Sequence, residues 1–194
     1  MTGAFEEPAH ATPLSPEERA GLKLAHITER QQLNEVEQQN IALAVSWAGS
    51  RKHNPVRESF GRSLHKRMFG DVWTWAGDYR TSNKNLGSDH GMIVPRLYEV
   101  FDNVGYWVKN QTFAPDEIAI RFHHGLVVVH PFPNGNGRWS RLMGDILAGR
   151  LGQAPFTWSG GALADAGELR AHYIAALQAA DDHNFEPLID FARQ

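Results

Sequence analysis

The chain has 194 residues and a mass of 21.7 kDa, a length typical of one domain with a small addition. Hydrophobic residues make up 42% of it, which is enough for one core and excludes wholesale disorder. Nineteen basic residues against 22 acidic ones leave a net charge of -3, so direct nucleic-acid binding is not expected. The chain has no cysteine, which excludes disulfides, thiol nucleophiles and thiolate metal sites. The sequence shows neither a targeting segment nor a membrane span, so we expect a cytoplasmic protein without a membrane partner.

The beginning of the chain predicts an N-terminal arm over residues 1–32, followed by one domain over residues 33–194. Residues 1–16 hold three of the ten prolines and few large apolar side chains, so a mobile arm with little function is expected there. Apolar residues then recur at helical spacing and stop at Gly49, which predicts a helix over residues 33–49.

Helical patterns continue along the rest of the chain. Phe60, Leu64 and Met68 lie four residues apart and predict a second helix. The stretch between residues 73 and 95 is rich in Gly, Ser, Asn and Asp, and predicts a loop with a short hairpin. Further helices are predicted over residues 96–109, 115–129, 137–151, 165–180 and 187–192. The predicted fold class is therefore mostly α, a helical bundle with a short β-hairpin.

One segment, HPFPNGNGRWSR at residues 130–141, is rich in proline, glycine, asparagine and arginine and lacks the apolar pattern of a core-forming element. It lies between two predicted helices, and the second begins at Gly135–Gly137. A helix start presents unpaired backbone N–H groups and the positive end of the dipole, so this start is a candidate anion cradle. Arg138 and Arg141 are three residues apart and can add planar donors to the same anion. A bound di- or triphosphate fits this pattern.

His130 is the group in this segment that can accept a proton near neutral pH, and we predict that it is a general base. Phe132 is expected to anchor the loop in the core. The segment is not a GxxxxGK[ST] loop, because no lysine follows the glycines, nor a GxGxxG turn, because no strand precedes it. A metal site built from His123, His124 and His130 is disfavoured because no carboxylate follows nearby.

These residues resemble the Fic domain family, whose signature is HxFx[D/E]GNGRxxR. Seven positions match it: His130, Phe132, Gly135, Asn136, Gly137, Arg138 and Arg141. The resemblance extends to the stretch at residues 64–87 and to the C-terminal helices, and covers about residues 34–192. The most similar subgroup is the small Fic proteins called mobile mystery protein B, which carry a similar LNExE segment.

The resemblance implies a protein adenylyltransferase, which transfers AMP from ATP to a Ser, Thr or Tyr hydroxyl of a target protein with Mg²⁺ on the phosphates. His130 would deprotonate the target hydroxyl. Gly135–Arg138 would hold the phosphates, and Arg141 would reach the γ-phosphate. Tyr173, on a C-terminal helix, is a candidate for the adenine or ribose pocket.

Asn134 departs from the family pattern, which usually has Asp or Glu at this position. Its neutral oxygen is a weaker Mg²⁺ ligand than a carboxylate, so metal affinity and activity should fall. Two alternatives therefore stay open. One is a nucleotide-binding regulatory module with weak or no catalysis, and the other is a Doc-like phosphotransferase that moves the terminal phosphate. The intact GNGR favours AMP transfer.

The family also has a flap hairpin over the active site, which corresponds here to residues 86–95. Met92, Ile93 and Val94 would form the edge that pairs with the main chain of the target. A short core strand is an equal alternative for these three residues. Arg80 is expected to brace the flap.

Many Fic proteins are held inactive by a helical glutamate that pairs with the second signature arginine. Glu37 lies on the predicted helix before the core and is the candidate, with Glu35 as its competitor. A merely solvated glutamate is the ordinary alternative. If Glu37 inhibits the protein, a regulatory partner is also expected.

Overall fold

The computed structural model describes residues 13–49, 53–160 and 166–194. Within these ranges the helices are α1 (Pro16–Arg19), α2 (Arg30–Ala48), α3 (Glu58–Phe69), α4 (Ile93–Asn110), α5 (Pro115–Val129), α6 (Asn136–Arg150), α7 (Ala166–Asp181) and α8 (Glu186–Arg193), with a 3-10 turn at His90–Met92. The prediction of a mostly α helical bundle is confirmed. No described helix combines the length and the apolar character needed to cross a membrane.

Helix α5 lies at the centre of the bundle and packs against α4, α6 and α8. Pro115 begins it, and Asp116 and Glu117 in its first turn complement the positive helix start. Its inward face is fully apolar except for His123, and the buried residues are Ile118, Ala119, Ile120, Phe122, His123, Leu126 and Val129. Because α5 and α6 pack along their length, the short loop that joins them is fixed at both ends.

The hairpin expected over residues 86–95 is not formed; a loop, the 3-10 turn and the first turn of α4 take its place. Asp89 caps the 3-10 turn by accepting from the Gly91 N–H at 2.9 Å. Ile93 then starts the buried stripe of α4, which continues through Leu97, so the helix begins three residues before the predicted residue 96. The adjacent β-branched residues Ile93 and Val94 favour a strand locally. Burial of Ile93 against the core stabilises the helix instead.

Residues 13–29, which we call the strap, lie against the bundle. Leu14 and Ile27 are buried in the core. The Lys23 N–H donates to the Val72 carbonyl at 2.8 Å, and the Thr74 N–H donates to the Gly21 carbonyl at 2.9 Å. The expectation of a mobile arm therefore does not hold for residues 13–16.

The remaining part of the predicted arm, residues 1–12, lies outside the described residues. Helix α2 begins at Arg30, within the predicted arm of residues 1–32, and ends at Ala48, one residue before the predicted end. The division of the chain at residues 32 and 33 stays a prediction.

Candidate active site

His130 ends α5 in a left-handed conformation (φ 52°), and its N–H donates to the Leu126 carbonyl at 3.1 Å. Its own carbonyl oxygen accepts from Nε of Arg80 at 2.8 Å. The Arg80 guanidinium also donates to the carbonyls of Ser82 and Ser88. Arg80 is 3% exposed, so a buried cation ties the 80–89 loop to the histidine, which agrees with the bracing role expected for it.

Burial, and after it the nearby positive charge of Arg80, lowers the pKa of His130 to about 4. The imidazole is therefore neutral at physiological pH and can accept a proton. This is the state that a general base requires.

Two side chains shape the loop after His130. Phe132 is fully buried, and its ring stacks on that of His65 with the centroids 3.7 Å apart. The Asn136 side chain closes the loop, since Oδ1 accepts from the Phe132 N–H at 2.9 Å and Nδ2 donates to the Phe132 carbonyl at 2.8 Å. Only the backbone of Asn136 is thus available to an anion.

His65 is a site residue that the sequence reasoning missed. Its Nδ1 accepts from the Gly77 N–H, and Nε2 donates to the Asn134 carbonyl, each at 3.0 Å. Burial lowers the pKa of His65 to about 3, which keeps the imidazole neutral, and its two hydrogen bonds fix the tautomer. The sequence feature that could have indicated this role is the position of His65, a polar residue that directly follows the buried Leu64 in the apolar stripe of α3.

The predicted anion cradle lies at the start of α6. Gly135 has φ 79°, and a Cβ there would lie 2.5 Å from Cζ of Phe69, so the turn requires glycine. A Cβ on Gly137 would meet nothing within 4 Å, which shows that the first turn faces open space. Backbone N–H groups at a helix start lack intrahelical partners, and the space beside Gly137 leaves room for an anion, whereas the Gly135 N–H already donates to the Asn134 side chain.

The two arginines of α6 have different surroundings. Nη1 of Arg138 lies 2.6 Å from Oε2 of Glu37, and its guanidinium lies 4.8 Å from the ring centroid of Phe69. Arg141 forms no ion pair with a carboxylate among the described residues, and its guanidinium lies over the ring of Tyr173 at 5.6 Å. Glu37 thus pairs with Arg138, the first signature arginine, whereas the resemblance implied that it would pair with Arg141, the second.

Glu37 lies on α2 and is 2% exposed. Its second oxygen, Oε1, accepts from Nε1 of Trp73 at 2.7 Å. Glu35 is exposed and accepts from Nε2 of Gln31 at 3.0 Å. The structure brings Glu37 to the cradle and leaves Glu35 on the outer surface of the helix.

The remaining predicted site residues are Tyr173 and the three flap residues Met92, Ile93 and Val94, and their contacts differ from those predicted. The Tyr173 hydroxyl is hydrogen-bonded to Nε2 of His123 at 2.9 Å. Ile93 is buried at the start of α4, whereas Met92 and Val94 are exposed on either side of it. These three residues form helix and turn, and therefore offer no strand edge.

The donor set at position 134 is poor for a divalent cation. The Asn134 side-chain oxygen accepts from the Gly135 N–H. Among the described residues, no cluster of three or more carboxylates or imidazoles could hold a metal ion. One neutral oxygen would hold Mg²⁺ only together with the phosphates of a nucleotide.

Comparison with known proteins identifies the family of this domain. Residues 55–148 match the model of the Fic/DOC family. The chain contains a Fic/DOC family domain. It is 27% identical over 146 residues to the protein adenylyltransferase fic-1 of Caenorhabditis elegans, covering 73% of this chain and 27% of that protein. The chain thus spans about a quarter of the length of this curated relative.

Solved Fic structures have the same fold. A fragment of Fic-1 from C. elegans superposes with a TM-score of 0.64 at 26% identity, covering 79% of this chain and 46% of that one. BepC from Bartonella tribocorum, solved with bound AMPPNP, superposes with a TM-score of 0.70 at 18% identity, covering 92% of this chain and 97% of that one. At this identity the second likeness shows the fold alone.

Proposed function

We propose that the chain is a protein adenylyltransferase that transfers AMP from ATP to a hydroxyl side chain of a target protein. The observation that carries the proposal is the juxtaposition of His130, with its neutral imidazole, and the open start of α6 bearing Arg138 and Arg141. The curated relative is named for this activity, and a structure with the same fold holds a nucleotide.

In the proposed reaction, the target Ser, Thr or Tyr hydroxyl gives its proton to His130. Its oxygen attacks the α-phosphorus, so one P–O bond forms while the bond to the β-phosphate oxygen breaks. AMP remains on the target, and pyrophosphate leaves with its electron pair. The α6 N–H groups, Arg138 and Arg141 stabilise the charge on the phosphates, and this stabilisation is the main requirement of phosphoryl transfer.

Magnesium belongs to the proposal as a partner of the nucleotide. When bound, it would neutralise phosphate charge. Asn134 would be its protein ligand, after release of the Gly135 N–H that its side chain now accepts from. Because that ligand is neutral, most of the coordination would come from phosphate oxygens and water.

Autoinhibition by Glu37 is a second part of the proposal. Its carboxylate occupies a guanidinium that would otherwise bind phosphate, and the pair is shielded on the glutamate side. ATP must displace it or bind without Arg138. A regulatory partner that moves α2 would release this arginine. A cytoplasmic location, expected from the sequence, belongs to the same proposal.

The main alternative is a nucleotide-binding regulatory module with little catalysis. Asn134, in place of an acidic residue, is the observation that favours it. A Doc-like transfer of the terminal phosphate is a further alternative, because the same cradle could hold ATP in the opposite direction.

Radiolabelled ATP separates these functions. The full chain is incubated with a host lysate and with ATP labelled at either the α- or the γ-phosphate. We expect α label on a protein, and loss of that label in His130→Ala. His172→Ala, an exposed histidine on α7, is the matched control and should keep it. Transfer of γ label would support phosphotransfer, whereas ATP binding without any transfer would support the module.

A further inference from the structure

A line of polar and aromatic side chains, of which His123 is fully buried and the others are partly buried, begins at the Tyr173 ring that Arg141 lies over. The Tyr173 hydroxyl is hydrogen-bonded to Nε2 of His123 at 2.9 Å. The His123 ring lies 4.7 Å from the ring of Trp158, whose Nε1 donates to Oδ1 of Asp145 at 3.0 Å. Four separate segments of the chain therefore meet at this point, namely α5, α6, α7 and the loop after α6.

The members of this line make defined contacts, although Nδ1 of His123 finds no hydrogen-bond partner among the described residues. His123 is fully buried, and burial lowers its pKa to about 3, so the ring is uncharged. Burial also raises the pKa of Tyr173 to about 12, so the hydroxyl keeps its proton. Trp158 adopts a left-handed conformation (φ 51°), and its N–H donates to the Ala192 carbonyl at 3.0 Å. A non-glycine residue held in this region is typical of a site whose geometry is functionally constrained.

Arg141 contacts this line through the ring of Tyr173. It lies one turn before Asp145 on α6, and its guanidinium lies over the Tyr173 ring at 5.6 Å. Among the described residues it forms no ion pair with a carboxylate, although the Asp145 carboxylate is close enough to interact with it electrostatically. The Tyr173 ring, in turn, is fixed by His123 and by the ring of Phe191 at 5.5 Å. An aromatic face attracts a guanidinium and restricts its position.

We propose that Tyr173, held by His123, is a positioning residue that directs Arg141 toward the terminal phosphate of a nucleoside triphosphate. The inference rests on the proposed function, in which Arg141 binds that phosphate. It gives the chain a means of distinguishing ATP from ADP. It also replaces the adenine or ribose contact expected for Tyr173 from sequence.

Equilibrium binding of ATP and ADP to the full chain tests this role. If Tyr173 acts through Arg141, Tyr173→Leu should raise the Kd for ATP by about fivefold and leave the Kd for ADP within about twofold. Tyr173→Phe keeps the ring and loses the bond to His123, so it should give a smaller change of the same kind. Tyr106→Leu, an exposed tyrosine on α4, is the control and should alter neither value.

A double-mutant cycle makes the test independent of simple loss of packing. In the Arg141→Ala background, adding Tyr173→Leu should leave the Kd for ATP unchanged. Equal weakening of ATP and ADP would overturn the inference in favour of a nucleoside contact, as would additive effects in the cycle. If Tyr173→Leu does not fold, Tyr173→Phe decides in the same way. If the unmodified chain binds neither nucleotide, or if Arg141→Ala alone leaves ATP binding intact, the proposed function fails and this role fails with it.

Discussion

The side-chain Nε of Arg80 donates to the backbone carbonyl of His130 at 2.8 Å, across 50 positions of sequence. The histidine sits in the left-handed region, where a non-glycine residue is strained and needs support from its surroundings. Arg80 supplies this support and at the same time holds the carbonyls of Ser82 and Ser88. His130, the proposed general base, and the loop beside it are therefore positioned by one buried cation.

Replacing Arg80 with lysine tests this support. A single ammonium cannot reach three carbonyls, and each buried carbonyl left unpaired costs about 1 to 3 kcal/mol. Arg80→Lys should lower the free energy of unfolding by about 2 to 4 kcal/mol in urea titrations. Label transfer from ATP should fall with it, because His130 loses its fixed direction. Arg62→Lys is the control: its side chain is 46% exposed, and the change should stay under about 1 kcal/mol.

Glu37→Gln should change stability and activity in opposite directions. The amide keeps an oxygen for Trp73 but loses the charge that faces Arg138, and Arg138 is 31% exposed, so the loss of stability should be about 1 to 3 kcal/mol. Release of Arg138 should raise the rate of label transfer about tenfold. This corresponds to an activation free energy that is lower by about 1.4 kcal/mol. Glu35→Gln, on the exposed face of the same helix, should change neither quantity. A variant that is less stable without being more active would show that the ion pair is purely structural.

The sequence predicted most of the helices because their signals are local. α5 matches its predicted range of residues 115–129, since a proline begins it and one apolar stripe continues to its end. The start of α4 was missed because Met92, Ile93 and Val94 favour extended structure locally. Their helical state depends on the burial of Ile93, which only the tertiary packing provides.

The difference between local sequence signals and tertiary contacts also explains which parts of the site could be predicted. His130, Arg138 and Arg141 fall within one continuous motif, so they could be identified from sequence alone. Glu37 could be named as a candidate, but the arginine that it contacts lies 101 positions away and was assigned wrongly. His65 contacts Asn134 across 69 positions, and no local pattern contains that information.

The free energy of unfolding should fall steeply in acid because three histidines, two of them fully buried and His130 partly buried, are neutral in the folded chain. Burial lowers the pKa values of His65, His123 and His130 to about 3, about 3 and about 4, whereas an unfolded histidine titrates near about 6.5. Between these limits the unfolded chain binds more protons. Stability is therefore complete above about pH 6.5 and is lost as the pH falls toward the folded values.

Urea titrations between about pH 7 and pH 5 measure this effect. Each histidine contributes up to about 1.4 kcal/mol per pH unit, and the three together about 4. His123→Gln should remove about a third of the slope. The comparison at about pH 8 is the control, since all three histidines are neutral there in both states and the variant differs only by its lost contacts. A slope below about 1.4 kcal/mol per unit would contradict the buried neutral state.

The pH dependence of label transfer should reflect the lowered pKa of His130. A base with a pKa of about 4 is deprotonated throughout the neutral range. The value of kcat/KM should therefore stay flat from about pH 8 to about pH 5.5 and decline only in stronger acid. Measurement is limited to the range in which circular dichroism shows a folded chain. A decline centred near about pH 6.5 would mean that His130 titrates as a solvated histidine.

The strap should control the order of the loop beside His130 through Lys84. The Lys84 ammonium contacts the Glu18 carboxylate and donates to the Pro13 carbonyl at 3.0 Å. The two side chains are 5% and 13% exposed, so Lys84→Met leaves a buried carboxylate without its partner and should cost about 3 to 5 kcal/mol. Hydrogen exchange should accelerate in residues 13–29 and also in residues 81–89.

Gly21→Ala disturbs the strap at a different point, sterically and without changing charge. Its Cβ would lie 2.7 Å from Cδ1 of Trp75, so the strap or the side chains of Trp75 and Thr74 must shift to relieve this clash. Gly149→Ala on α6 meets open space and should stabilise the chain by up to about 1 kcal/mol, which makes it the matched control. Hydrogen exchange by mass spectrometry then compares the two alanine variants. If exchange rises in residues 13–29 but not in residues 81–89, the strap does not hold the loop, and the order of that loop depends on Arg80 alone.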